Sequence, residues 1–208
     1  MSKAVLISIR PKWVEKIANG EKTIEIRKNR PKLATPFKCY IYCSAGGDKL
    51  WIRDAAWRER WMGGPISFLV NAKKCGGMNI GNGKVIGEFT CDAIIRVNIC
   101  GFWDDSGKQL DNRLKETCLT TEEFCKYLGE NVGYGWHISN LKIYDAPKKL
   151  GEFWRDCLEH SELSTNCWSC ENVCGDGDET DCNTDGRLYL HRPPQSWCYV
   201  EAIENGNS

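Results

Sequence analysis

In the segment "NGEKTIEIRK", residues 19 to 28, Lys22, Thr23, Glu25 and Arg27 stand within six positions, with Ile24 and Ile26 between them. These side chains hold the donors and acceptors that a polar ligand needs. Arg offers a rigid fork to a phosphate or a base edge, Lys a point charge, and Glu an acceptor for an exocyclic amine. In a hydrolytic site the same Lys, Glu and Arg would supply acid–base and phosphate roles. If residues 23 to 27 form a strand, the side chains alternate between its faces. Ile24 and Ile26 then enter a core, Thr23, Glu25 and Arg27 line the other face, and Lys22 sits at the strand entrance. That second face either lines a cleft or is a solvated surface on which Glu25 and Arg27 pair with their neighbours.

A second set of chemistry-bearing residues lies near the carboxyl end. Cys167, Cys170, Cys174 and Cys182 have spacings of two, three and seven intervening residues, and Cys157 and His160 precede them. A C-x-x-C turn lets two thiolates reach one tetrahedral zinc ion. A structural Zn site from Cys167, Cys170, Cys174 and Cys182 is the first expectation, and one using Cys157 or His160 the second. Residues 160 to 187 hold too few apolar groups to build a core of their own, and a metal would order them. The alternative is a flexible loop with reduced thiols. "DCNTDGRLYLHR" matches only half of a calcium loop: Asp181, Asn183, Asp185 and Gly186 fit, but Arg192 stands where a bidentate Glu is required, so the stretch is an acidic turn.

Composition narrows the classes. The 208 residues carry 28 Lys plus Arg and 28 Asp plus Glu, so the chain is formally neutral. Neutrality argues against non-specific duplex binding over a broad basic face, but leaves room for a small site that takes one base or a short single strand. No run approaches the roughly 18 apolar residues of a membrane helix. "AVLISI" ends at Arg10, too soon for a signal peptide, and is read as a strand. The expected compartment is the cytoplasm, where thiols stay reduced. The 13 cysteines cannot all pair within the chain, and Cys39, Cys43, Cys91 and Cys198, set among apolar residues, are expected to act as small buried hydrophobes.

The elements that must position these residues follow from local patterns. "PKWVEKIANG" is a short helix with Pro11 in its first turn, Trp13, Val14 and Ile17 on one face and Gly20 beyond its end. "FKCYIYCS", 37 to 44, is a strand. Residues 45 to 83, framed by Gly-Gly pairs, are expected to be an insertion, with "KLWIRDAAWRERWMGG" a helix that carries Trp57 and Trp61 one turn apart. Arg58 and Arg60 there belong either to a phosphate contact or to an amphipathic surface. "KVIGEFTCDAIIRVNIC" is one long strand, or two with a bend at Gly87. "LTTEEFCKYLGEN" is a helix opened by a Thr120–Glu123 capping box, with Phe124, Tyr127 and Leu128 on its apolar face. "YGWHISNLKIYD" is an irregular strand or a strand pair, "APKKLGEFWRDCLE" a linker into a short helix, and "RPPQSWCYVEAI" a final strand. The class is α+β or a small barrel.

With these residues in view, "LISIRPKWVEKIANGEKTIEIRK" resembles the start of an ASCH domain, the activating-signal-cointegrator homology family of the PUA-like superfamily. The shared G-x-K-x-x-E-x-R segment is Gly20, Lys22, Glu25 and Arg27 here. "KVIGEFTCDAI" is similar to the family's central strands, and "YGWHISNLKIYDAPKKL" and "PPQSWCYVE" resemble the tail of a phage- and Firmicutes-associated branch. The resemblance implies one α+β domain over 1–204, a PUA-like small β-barrel with flanking helices, an insertion at 45–83, a Cys-rich insertion at 157–187 and a tail at 205–208. It also implies a cleft beside the G-x-K-x-x-E-x-R strand that binds RNA, a nucleotide or a modified base through Lys22, Thr23, Glu25 and Arg27. Trp136, His137, Trp197 and Tyr199 are candidate neighbours of such a base: Trp136 is either a stacking wall or core packing, His137 either a site residue or a satisfied partner of a backbone group, and Trp197 and Tyr199 share one strand face that the core can also claim. Two other classes stand beside binding: an enzyme and a protein-interaction module. The enzymatic alternatives are a ribonuclease and an amidohydrolase on acetylated cytidine. That amidohydrolase branch uses a Lys with a downstream Thr nucleophile and a distant Glu. Lys22 matches the Lys, but Glu25 occupies the nucleophile position, where a carboxylate does not replace the hydroxyl. Thr23 would serve only in a shifted geometry.

Overall fold

The computed structural model describes residues 2–53, 68–70, 78–104, 106–110, 113–156 and 187–203. The first apolar run is strand β1 (Lys3–Ile9), of which Ala4 to Ile7 are fully buried. Pro11 then opens helix α1 (Pro11–Ala18), since a missing N–H is harmless in a first turn. Val14 and Ile17 bury its inner face. Gly20, at φ +75°, turns the chain out of the helix. Strands β2 (Ile24–Arg27) and β3 (Phe37–Cys43) follow.

A separate three-stranded sheet, in the order β5-β4-β6, comes next: β4 (Leu50–Arg53), β5 (Phe68–Val70) and β6 (Met78–Ile80). The helix expected from Lys49 onward is therefore corrected at its start. Leu50 and Ile52 are both buried and two apart, the period of a strand, and they join the main core. Trp57, Arg58, Arg60 and Trp61 lie outside the described residues.

Strand β7 (Lys84–Asn98) continues unbroken, with a register shift opposite Ile41 and Tyr42 in place of a break. Gly87 sits at that irregularity, and a Cβ there would lie 2.5 Å from the Lys142 carbonyl oxygen. Strands β8 (Gly101–Trp103) and β9 (Gln109–Leu110) branch from it. Helix α2 (Thr121–Leu128) carries the complete Thr120–Glu123 capping box. Strand β10 (Gly133–Lys149) is long and irregular, with three register shifts. The short helix expected within residues 146 to 159 is corrected in its described part: β10 runs on to Lys149, and a single 3-10 turn (Leu150–Glu152) leads into β11 (Trp154–Asp156). One apolar anchor, Phe153 against Tyr40 at 4.9 Å, holds this stretch, with no helical stripe to bury. Strand β12 (Arg187–Tyr189) pairs with β11, and β13 (Trp197–Glu201) ends the described chain.

The main sheet runs β13-β1-β3-β7-β10-β2, with β1 and β3 parallel and the other pairs antiparallel. The architecture is the expected α+β, small-barrel-like one, and it is left open: among the described residues no ladder joins β2 to β1 or β13. The sheet nonetheless curls so that its ends meet through side chains. Trp136 on β10 packs 5.9 Å from Trp197 on β13, and Arg27 on β2 donates to the Ser8 carbonyl on β1 at 2.6 Å. Inside the curl lies the main core, from Val5, Ile7, Ile41, Phe89 and Trp136 among others. A second core forms under Phe153 and Tyr144, and a third joins Ile24 and Ile26 to Phe102, Phe124 and Leu128. Each fully buried aliphatic or aromatic residue contributes on the order of 1.5–3 kcal/mol. Cys39, Cys43 and Cys91 are fully buried thiols in the main core, and burial pushes the Cys43 and Cys91 thiols up to about 12, so they behave as small hydrophobes.

One buried acid carries a stability prediction. Glu201 closes β13 at 3% exposure. Burial lifts its carboxyl above the usual range, Asp156 adds to the lift, and Lys3 opposes it. A raised folded-state value favours the protonated form, so this residue's contribution is best in acid and is lost as pH rises through the folded value. Glu201→Gln should therefore raise the thermal unfolding temperature at pH 7, with a gain that shrinks toward pH 4. A pH-independent effect in calorimetry would contradict this origin.

Candidate functional site

Strand β2 is covered on both sides. Ile24 and Ile26 face the third core, and Glu25 and Arg27 point the other way, toward the open seam of the sheet. Lys22 enters just before the strand, where its backbone N–H bonds the Lys16 carbonyl at the end of α1. All three charges are nearly withdrawn from water, with side-chain exposures of 2% for Lys22, 8% for Glu25 and 11% for Arg27. Glu25 is held from both sides: Oε2 lies 3.2 Å from Lys22 Nζ, and Oε1 lies 3.1 Å from Arg27 Nη2. Lys22 Nζ also donates to the Thr117 carbonyl at 2.6 Å. The Arg27 Nη2 bond to Ser8 then ties this network across the seam. Buried charges persist only when paired and hydrogen-bonded, and this set meets both conditions except at Arg27 Nε, which is buried without a partner.

Over this network lies a cleft of about 420 Å³. Its floor is Lys22, Glu25 and Arg27, and Trp13 from α1 and Tyr127 from α2 stand in its walls. The Lys22 ammonium is 5.3 Å from the Trp13 ring centre, and the Lys28 ammonium is 5.4 Å from that of Tyr127. Burial raises the Tyr127 phenol above its usual value, and Glu25 adds to this, against the opposing pull of Arg27. The hydroxyl-bearing Ser8, Ser44 and Ser196 also reach the cleft. Two aromatic faces, fixed charges of both signs and adaptable hydroxyls suit a flat, polar, partly anionic ligand.

The other sequence-derived candidates lie elsewhere. Thr23 turns toward the 3-10 turn at Leu114–Thr117: its Oγ1 is 3.4 Å from Glu116 Oε2, its N–H bonds the Glu116 carbonyl, and it is outside the cleft wall. Glu116 is held below the usual carboxylate range first by its bond to Arg113. Trp136 is 0% exposed and packs between Phe37 and Trp197, so its expected stacking role is corrected to a core role. It shares the strand face of Glu25, but the curl of the sheet brings β13 over it. His137 pairs with Asp92, Nδ1 to Oδ1 at 2.6 Å, away from the cleft wall. Trp197 and Tyr199 are half-buried against the main core and meet edge-on at 5.4 Å. Trp13 and Tyr127 were missed as site residues because each occupies an apolar helix face that core packing explains equally well. A hint lay in Trp13 beside Val14, at the margin of the Val14–Ile17 stripe.

The expected zinc ligands Cys167, Cys170, Cys174 and Cys182, and the alternatives Cys157 and His160, lie outside the described residues. Among the described residues no three His, Cys, Asp or Glu gather as a metal set, and no helix is long and apolar enough to cross a membrane.

Residues 7–43 match the family model described as the ASCH domain. The chain is also similar to solved structures of ASCH from Zymomonas mobilis. The protein itself shows 15% identity and a TM-score of 0.49, over 95% of this chain and 87% of that one. One of its point variants shows 15% identity and a TM-score of 0.48, over 95% and 88%. Another shows 17% and 0.45, over 72% and 77%. No curated protein matches the chain.

Proposed function

We propose, from the premise that residues 7–43 carry the ASCH-family signature, that this chain binds RNA by taking one base or nucleotide into the cleft above Lys22, Glu25 and Arg27. The observation that carries this is the pairing of two aromatic walls, Trp13 and Tyr127, with a charged floor of both signs. A base stacks on an aromatic face, Glu25 accepts from an exocyclic amine, and Arg27 or Lys22 meets a carbonyl edge or a phosphate. Thr23 and Trp136, outside the cleft wall, have no part in this proposal. Glu25 is the one carboxylate among the described residues that line the cleft, and it is ion-paired with two cations, an arrangement that supports binding over hydrolysis. A structural zinc site in the Cys-rich segment is proposed on the sequence pattern alone, with metal analysis of the purified protein as its test.

The test is titration of labelled short single-stranded RNA with the wild type, Trp13→Ala and Tyr127→Ala. Stacking contributes about 1–3 kcal/mol per base, so each variant should weaken binding by roughly ten-fold or more. Tyr127 is partly exposed, so its variant keeps the test valid should Trp13→Ala unfold. Unchanged affinity in both folded variants defeats the cleft as the base site and favours a protein-interaction module. Shortened RNA in the same samples would mark a ribonuclease, and loss of acetyl from acetylated cytidine an amidohydrolase.

A further inference from the structure

The loop from Lys28 to Lys32 leaves β2 at the cleft and crosses the open seam of the sheet. Its near end lies beside Tyr127 of the cleft wall, where the Lys28 ammonium stands 5.4 Å from the ring centre. In the middle, the Arg30 guanidinium stands 5.6 Å from the ring centre of Tyr134 on β10. At the far end the Lys32 backbone N–H donates to the Tyr199 hydroxyl on β13 at 2.7 Å. Each alternate residue of the loop is thus basic: Lys28 and Arg30 each set a cation beside a tyrosine ring, Lys32 is tied to a third tyrosine through its backbone, and all three are exposed. From Ile26 to Gly47 the chain has five basic residues, Arg27, Lys28, Arg30, Lys32 and Lys38, and no acidic one. Arg27 pairs with Glu25 and Lys38 with Glu88, which leaves Lys28, Arg30 and Lys32 as a basic run along the loop that starts beside the cleft-wall Tyr127. An ordinary solvated surface would intersperse both signs.

We infer that this loop is a track for the phosphates that flank the bound base, so the ligand is a single strand of several nucleotides and not a free nucleotide. This rests on the cleft proposed above as the base site. Cations alternating with aromatic rings are suited to a sequence-tolerant single-stranded backbone. A duplex would need a broader basic face than this narrow strip. The bond from Lys32 to Tyr199 fixes the loop across the seam before binding, so less order is lost when the strand docks.

The test compares wild type with Lys28→Gln/Arg30→Gln/Lys32→Gln, using a nucleoside monophosphate and a single-stranded RNA of about ten nucleotides at several salt concentrations. Each released phosphate contact changes the slope of log affinity against log salt by about 0.7 for single strands, so the triple variant should flatten it by about 2. Oligonucleotide affinity should fall by at least about ten-fold at low salt, with monophosphate binding unchanged. An unchanged slope and affinity for the oligonucleotide overturns the track. So does wild-type protein that binds the monophosphate as tightly as the oligonucleotide. If the cleft variants bind RNA normally while the triple variant does not, the track stands and the base site is misplaced. If neither set has any effect, both fail.

Discussion

Glu25→Ala should destabilise the protein by about 3–5 kcal/mol, the scale for breaking a buried ion pair by removing one member. The reason is what stays behind. Lys22 at 2% and Arg27 at 11% side-chain exposure would keep their charges in a site that no longer holds an anion. Each retains one carbonyl, Thr117 for Lys22 and Ser8 for Arg27, but a neutral acceptor does not replace a carboxylate. For a chain of this size each kcal/mol moves the unfolding temperature by roughly 2–4 °C, so the loss should be on the order of 10 °C. Denaturant and thermal melts measure it. The companion variant Lys22→Met/Glu25→Leu/Arg27→Met removes all three charges, and should regain most of that stability while losing RNA binding. Recovery of stability with retained binding would show that the charged floor has no part in recognition. Failure to recover would mean that the seam itself depends on the Arg27 bond to Ser8.

Trp136→Ala should cost a comparable 3–5 kcal/mol, by the cavity that a large buried aromatic leaves. Trp136 fills the interior between Phe37 and Trp197, and thus holds β10, β3 and β13 around one volume. Its indole Nε1 is buried with no hydrogen-bond partner. Trp136→Phe removes that unsatisfied donor along with part of the ring, so its cost should be about half that of the alanine change or less. Neither variant should alter RNA affinity at temperatures where it remains folded. A selective loss of affinity in folded Trp136→Phe protein would return this residue to the binding site.

The elements near the amino end were legible because local rules coincide there. Pro11 opens α1, Gly20 closes it, and the Ile24–Ile26 alternation places two residues on a core face and Glu25 and Arg27 on the opposite one. The capping box at Thr120 marks α2 for the same reason. Where the signal was weaker, the strand won. Leu50 and Ile52 lie inside a stretch that also reads as helical, and packing onto the main core decided between the two periods.

The sequence by itself determined that β2 is two-faced, that three hydrogen-bonding charges cluster at its edge, and that residues 26 to 47 carry only basic charge. Tertiary structure alone decided what covers each face. Alternation distinguishes two sides of a strand but not which of them meets a hollow. Glu25 and Trp136 stand opposite each other on one side of the same ladder, yet the first floors a cleft and the second is sealed inside. The curl of the sheet makes that difference: it brings β13 over Trp136, while at Arg27 it leaves a seam that the Arg27 side chain spans to Ser8. Contacts between segments so distant in the chain leave no periodic trace in the residues that make them.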